Sequence, residues 1–142
     1  MKAEDLMVGD WVRNDLGEAQ RVVELREKGA MLSYNDIYQY DDIQPIPLTK
    51  EILEKNGFKK TSPDKYYPEP RYIWGIDSGR NGTVVTITIY EKPVHGVKVL
   101  TKIDTDCSHD CGINSIHNCD IEYVNQLQHA LKLCGIKKEI QI

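Results

Sequence analysis

Apolar positions in the first 47 residues recur with a period of two, in short runs broken by turn residues. That is the pattern of half-buried strands. "DWVRN" (10–14) is followed by Leu16-Gly17, a turn signal. "EAQRVVELRE" (18–27) mixes β-branched and charged residues and ends at Lys28-Gly29, where the glycine is expected to supply the positive φ of a tight hairpin. "AMLSY" (30–34) places Ala30, Leu32 and Tyr34 on one face, and "NDIYQY" opens on a second turn at Asn35-Asp36 before continuing as another strand. Four or five strands in so short a stretch can enclose a core only by curling into a small barrel.

The pattern changes at "PIPLTKEILEKNGF" (45–58). The prolines hold the chain extended and end the sheet. Thr49 is a good N-cap, with Glu51 in the first turn where the helix dipole favours it. Leu48 and Leu53 are spaced for a hydrophobic staple. Gly57 stops the helix after about two turns, and Phe58 folds back onto it. "YIWGIDS" (72–78) then reads as a strand, Asn81-Gly82 as a hairpin, and "TVVTITIY" (83–90) as its partner, with Val85, Ile87 and Ile89 alternating with polar residues. "KPVHG" makes the next turn and "VKVLTKID" (97–104) a third strand. Asp120 is a natural N-cap for a helix whose apolar residues Ile121, Val124, Leu127, Leu131 and Cys134 recur at helical spacing, with Gly135 as its stop. "KKEIQI" is expected to close the chain as a short strand. The opening "VGDWV" resembles the start of SH3-like barrels. The expected fold is α+β: an N-terminal SH3-like small β-barrel (1–47) followed by an α-β-β-β-α domain with an antiparallel sheet (48–142).

Composition narrows the class. With 142 residues, 40% hydrophobic and 28% charged, the chain is a globular protein rather than a disordered one. Its start, "MKAEDLMVGDW", has charges where a signal peptide has an apolar core, and no run of about 18 apolar residues occurs. The expected location is the cytoplasm, with no membrane partner and with Cys107, Cys111, Cys119 and Cys134 as reduced thiols. The net charge of −4 is unevenly divided: residues 1–47 hold five basic and ten acidic side chains, residues 48–142 thirteen and twelve. An acidic first segment repels phosphates, so non-specific nucleic-acid binding is disfavoured.

Candidate chemistry is concentrated in "CSHDCGINSIHNC" (107–119). Cys107, Cys111, His117 and Cys119 are the donor types zinc takes, but C-x3-C and H-x-C depart from the C-x2-C turn that presents two sulfurs together. The stretch therefore reads as a loop, with a zinc-binding regulatory protein as the alternative. A cysteine-dependent enzyme pairing Cys111 with His117 is a further one. Ser108, His109 and Asp110 have the residue types of a hydrolytic triad, but consecutive residues do not line up as nucleophile, base and orienter. Asp36, Asp41 and Asp42 form an acidic edge too sparse for a calcium loop. His95 and His129 have no identifiable partner. No phosphate loop, cofactor motif or metalloprotease motif is present. Trp11, Tyr34, Tyr38 and Tyr40 are more aromatics than so small a barrel needs for its core, and surface aromatics on small barrels recognise peptides.

"PIPLTKEILEKNGF" (45–58) and "IEYVNQLQHALKLCGIKKEI" (121–140) together resemble the paired signatures of a family of small uncharacterised proteins of Bacteroides-type bacteria, found largely in phage and mobile-element regions. That family commonly has His where this chain has Asn125, as in "YVHQLQ". The resemblance implies a setting and no mechanism. The expected role is a non-enzymatic interaction or accessory module with a protein partner, no cofactor and no metal, binding through Trp11, Tyr34, Tyr38 and Tyr40.

Overall fold

Short alternating runs and well-placed turn residues give the first sheet. A computed structural model of the protein describes residues 1–63, 65, 70–77, 84–94, 97–109, 112–115, 121–133 and 136–142. The chain divides into two compact units, Met1–Pro47 with Tyr123–Glu139, and Leu48–Glu122 with Ile140–Ile142. Both are α+β in composition, built on antiparallel sheets.

In the first unit, strands β1 (Trp11–Arg13), β2 (Ala19–Arg26), β3 (Gly29–Leu32), β4 (Ile37–Gln39) and β5 (Gln44–Pro45) lie in the order β4-β3-β2-β1-β5. After β1 the chain turns around Asn14, whose Oδ1 accepts from the amides of Leu16 and Glu18 at 3.1 and 2.8 Å. Gly17 takes φ +79° there. The β2–β3 link is Glu27-Lys28, and Gly29 already pairs with Arg26 and Gln39. The expected positive φ at Gly29 is not what the position requires. A Cβ there would run into the carbonyl oxygen of Tyr38, so glycine is needed for the close approach of β4. The β3–β4 hairpin closes through Ser33-Tyr34-Asn35, with Asn35 at φ +65°. This explains a second departure. Ala30 and Leu32 share the buried face as their period requires, but β3 ends at Leu32, and Tyr34 at the hairpin tip is 71% exposed.

Leu6, Val12, Val22, Ala30, Leu32 and Ile43 form this unit's core, with Tyr38 and Tyr40 partly buried against it. Helix α2 (Val124–Leu133) belongs to the same unit and contributes the buried Val124, Leu127 and Leu131. The sequence pattern instead set this helix on the sheet of the second half. The Val124 amide bonds to the Ile46 carbonyl at 2.9 Å, and Pro47 bridges Tyr123, so a segment remote in sequence joins the end of β5. Each fully buried aliphatic side chain contributes about 1.5–3 kcal/mol.

The second unit opens with α1 (Lys50–Lys55). Thr49 Oγ1 accepts from the Ile52 amide at 3.3 Å, as its N-cap role requires. Hydrogen bonds from its own backbone and from Thr49 hold the Glu51 carboxyl below its ordinary pKa. At the other end Gly57 adopts φ +81°, the Gly57 amide bonds to Glu54 at 2.9 Å and the Phe58 amide to Leu53 at 3.0 Å, which is a Schellman stop. Asn56 is buried. Its amide group donates to the carbonyls of Ile52 and Gln141 and accepts from the Gln141 amide, tying the last residues to α1. No strand forms over 136–142.

Five strands follow where three were expected: β6 (Lys59–Thr61), β7 (Arg71–Asp77), β8 (Val84–Val94), β9 (Val97–His109) and β10 (Gly112–Ser115), a meander in the order β10-β9-β8-β7-β6. The additional strands, "KKT" and "GINS", carry almost no apolar alternation, so periodicity cannot flag them. Tyr72 and Ile89 are directly paired and both buried, with Leu53 and Phe58 among this unit's other buried residues. The hairpin at Asn81-Gly82, the turn containing His95, the N-cap at Asp120 and the stop at Gly135 lie outside the described residues. Among the described residues no helix is long and apolar enough to cross a membrane.

Candidate functional site

The four aromatic residues selected from the sequence occupy different surroundings. Trp11 on β1 is half-buried, with the Arg21 guanidinium 4.8 Å above its ring centroid, a cation–π contact to its cross-strand partner. Arg21 also reaches Glu139 at 3.6 Å. Tyr38 and Tyr40 pack against the first unit's core; the Tyr38 hydroxyl lies 3.4 Å from the Asn14 amide and the Tyr40 hydroxyl donates to the Arg26 carbonyl at 2.6 Å. Of the four, Tyr34 stands in the open. Two further exposed apolar side chains of this sheet were not anticipated: Ile37 on β4 and Val23 on β2 are 59% and 44% exposed. Register explains this. Ile37, Met31 and Glu24 form one cross-strand row, on the face opposite Ala30 and Tyr38. A bulge in β2 falls between Val22 and Glu24. A strand with apolar residues on both faces carries no clean alternation, so its period does not single out the outer-face residues.

The cysteine–histidine stretch is not a single loop. Cys107 lies in β9 opposite Val85 and Asn114, and 112–115 forms β10. Cys111, His117, Cys119 and Cys134 lie outside the described residues, as does Asp110.

A second constellation emerged from the polar side of α2. Asn125, Gln128 and His129, at helical spacing, all turn toward the segment 5–11. Gln128 accepts from the Trp11 amide and donates to the Gly9 carbonyl, both at 2.9 Å, bridging the backbone at the start of β1. Asp10, buried, accepts from the Met7 amide and from His129 Nε2, each at 2.7 Å. A carboxylate only accepts, so the ring nitrogen facing it, Nε2, carries a hydrogen. Asn125 Nδ2 donates to the Asp5 carbonyl at 3.1 Å, and its buried Oδ1 has no partner among the described residues. Asn125 and His129 line a cavity of about 360 Å³, together with Tyr123, Pro45 and Asp5. His129 therefore does have a partner, Asp10, 119 positions away in sequence. The spacing of three polar residues beside an apolar stripe was the available signal.

No protein-family model, curated protein or solved structure matches this chain.

Proposed function

We propose that the protein is a non-enzymatic interaction module whose first unit is an SH3-like small barrel presenting an apolar docking face. The observation carrying this reading is the exposure of three apolar side chains of the first unit's sheet and its β3–β4 hairpin, Val23, Tyr34 and Ile37. Exposed apolar groups gathered on a small domain mark interaction surfaces.

Chain length supports the barrel. The edge strands β4 and β5 are joined by 40–43, of which Tyr40–Asp42 form a 3₁₀ turn. Four neighbouring strand spacings in a flat sheet separate its edges by about 19 Å. A link with a 3₁₀ turn advances only about 12 Å. The sheet must curl to bring its edges within reach, and the bulge in β2 is a device that bends strands in this way.

Charge indicates the partner. Glu27, Asp41 and Asp42 are exposed at one end of strands β3 and β4 and Asp36 at the other, in a segment whose net charge is −5, from five basic and ten acidic residues. An apolar anchor flanked by Lys or Arg complements it. The setting in a phage or mobile element rests on the resemblance of 45–58 and 121–140 alone.

The test is native capture with the wild-type chain, a Tyr34→Ser/Ile37→Ser double variant and a Lys60→Ala control. Both exposed substitutions are expected to change stability by no more than about 0.5 kcal/mol. A partner retained by wild type and control but lost by the double variant is the expected result. Retention of the same proteins by all three, or of none by wild type, refutes the reading.

A further inference from the structure

We propose that the free edge of β4 takes up an extended basic segment of a partner protein as an added strand. This rests on the interaction reading above and names how the partner is held.

β4 carries main-chain groups that its own sheet does not use. It ends the order β4-β3-β2-β1-β5, with β3 as its neighbour on one side and no strand on the other. Successive residues of an antiparallel strand bond to alternate sides. The Leu32 amide donates to the Asp36 carbonyl at 3.0 Å, in the same register that sets Ala30 opposite Tyr38. Asp36 and Tyr38 therefore bond toward β3, which is why the Tyr38 carbonyl crowds the position of Gly29. Ile37 and Gln39 turn their amides the other way. An incoming antiparallel strand can exchange both bonds with Ile37 and accept another from the Gln39 amide. Ile37 is 59% exposed and Gln39 is exposed as well, so the edge is accessible among the described residues.

Native sheets blunt their edges with lysine, proline or bulges. Other edges of this protein do so: β5 contains Pro45, which has no N–H to donate, and β6 is Lys59-Lys60-Thr61. β10 opens on Gly112, which weakens a strand. β4 is Ile37-Tyr38-Gln39, with no lysine, no proline and no bulge in its pairing with β3. Ile and Tyr are strong strand formers. The edge is thus left in a form that favours pairing.

Charge selects the occupant. Asp36 lies at one end of β4 and Asp41 and Asp42 at the other, all exposed. Arg26 is already paired with Glu24 at 3.1 Å, and Lys28 follows Glu27 in sequence. A second copy of this edge would bring like charges together, whereas a strand with Lys or Arg at its ends complements them. The residue facing Ile37 extends the outer row of Ile37, Met31 and Glu24, a place for a β-branched side chain. In such complexes main-chain bonds hold the segment and alternate side chains select it.

The test is amide exchange followed by NMR on the full-length chain. The probe is a short capped peptide of alternating Val and Thr with Lys at each end. One control carries Glu at each end; the other keeps Lys but has Pro in place of Val and cannot form a strand. The Lys peptide should slow exchange of the Ile37 and Gln39 amides saturably. The Glu control should bind at least about fivefold more weakly, and the Pro control at least about tenfold. Gln39 has φ −68°, which proline shares, so Gln39→Pro removes the outward N–H and leaves Val23, Tyr34 and Ile37 in place. It should weaken the Lys peptide by at least about tenfold, while Gln39→Ala, which keeps the N–H, binds as wild type does. The control peptides decide the matter on the wild-type chain if Gln39→Pro does not fold. No slowing at Ile37 and Gln39, equal binding of either control, or full binding by Gln39→Pro overturns strand addition. If capture of a partner still requires Tyr34 and Ile37 in that event, the interaction reading stands without it. Slowing in the free chain that rises with protein concentration assigns the edge to a second copy and also overturns the proposal.

Discussion

Gly29 and Gly17 are glycines for opposite reasons, and substitutions separate them. At Gly17 the backbone is left-handed and the space around a Cβ is open, so the demand is conformational. Asn tolerates that region, and Gly17→Asn is expected to be nearly neutral. At Gly29 any Cβ meets the Tyr38 carbonyl, and no rotamer relieves a clash with backbone. Gly29→Ala is expected to cost about 1–3 kcal/mol, and Gly29→Asn no less. Urea denaturation measures both; equal losses at the two positions would contradict this account. The sequence marked both glycines as turn residues, because hairpins commonly place glycine there. What it could not supply was the path of β4, which determines that the constraint at Gly29 is space and not φ. The α1 boundaries show the contrary case. Thr49, Gly57 and Phe58 act within one turn of themselves, so their roles were fully legible.

At the scale of elements, α2 has two working faces. Val124, Leu127 and Leu131 are buried, as their periodicity indicated. The polar face at Asn125, Gln128 and His129 takes its purpose from the segment it meets, which helical spacing does not supply. Gln128 carries a measurable part of that role. Replacing it by Leu leaves the Trp11 amide and the Gly9 carbonyl without their side-chain partner. Disrupting such a partly buried bridge is expected to cost about 1–3 kcal/mol. The exposed Lys132→Ala on the same helix should change stability by less than about 0.5 kcal/mol. Chemical denaturation of the two variants distinguishes a structural clamp from a solvated surface. Similar values for both would remove the clamp. The second sheet illustrates the limit of periodicity differently. β7, β8 and β9 were legible from their apolar alternation, although β8 and β9 extend further than it indicated, while β6 and β10 exist because a neighbouring strand offers unpaired backbone groups. Side-chain pattern does not record that driving force.

The whole molecule is organised around a discontinuity that local patterns do not contain. Residues 1–47 were legible as a sheet with its own core, but the first unit is completed by 123–139, after the chain has built a second unit. Three side chains of α2 are buried there, and at about 1.5–3 kcal/mol each they contribute about 5–9 kcal/mol. A whole domain's stability is typically about 5–15 kcal/mol. The sheet without the helix therefore falls at or below the threshold for folding. A peptide of residues 1–47 is expected to show no cooperative thermal transition by circular dichroism. Joining 47 to 123 through a short Gly/Ser linker should restore one, because the Val124 amide already meets the Ile46 carbonyl at 2.9 Å and a short loop can close that junction. Cooperative melting of 1–47 alone would make the helix an accessory, and the cavity beside it an incidental gap. The order of the two segments in sequence thus has a functional consequence: no candidate site on α2 exists until the polypeptide returns to the sheet it began with.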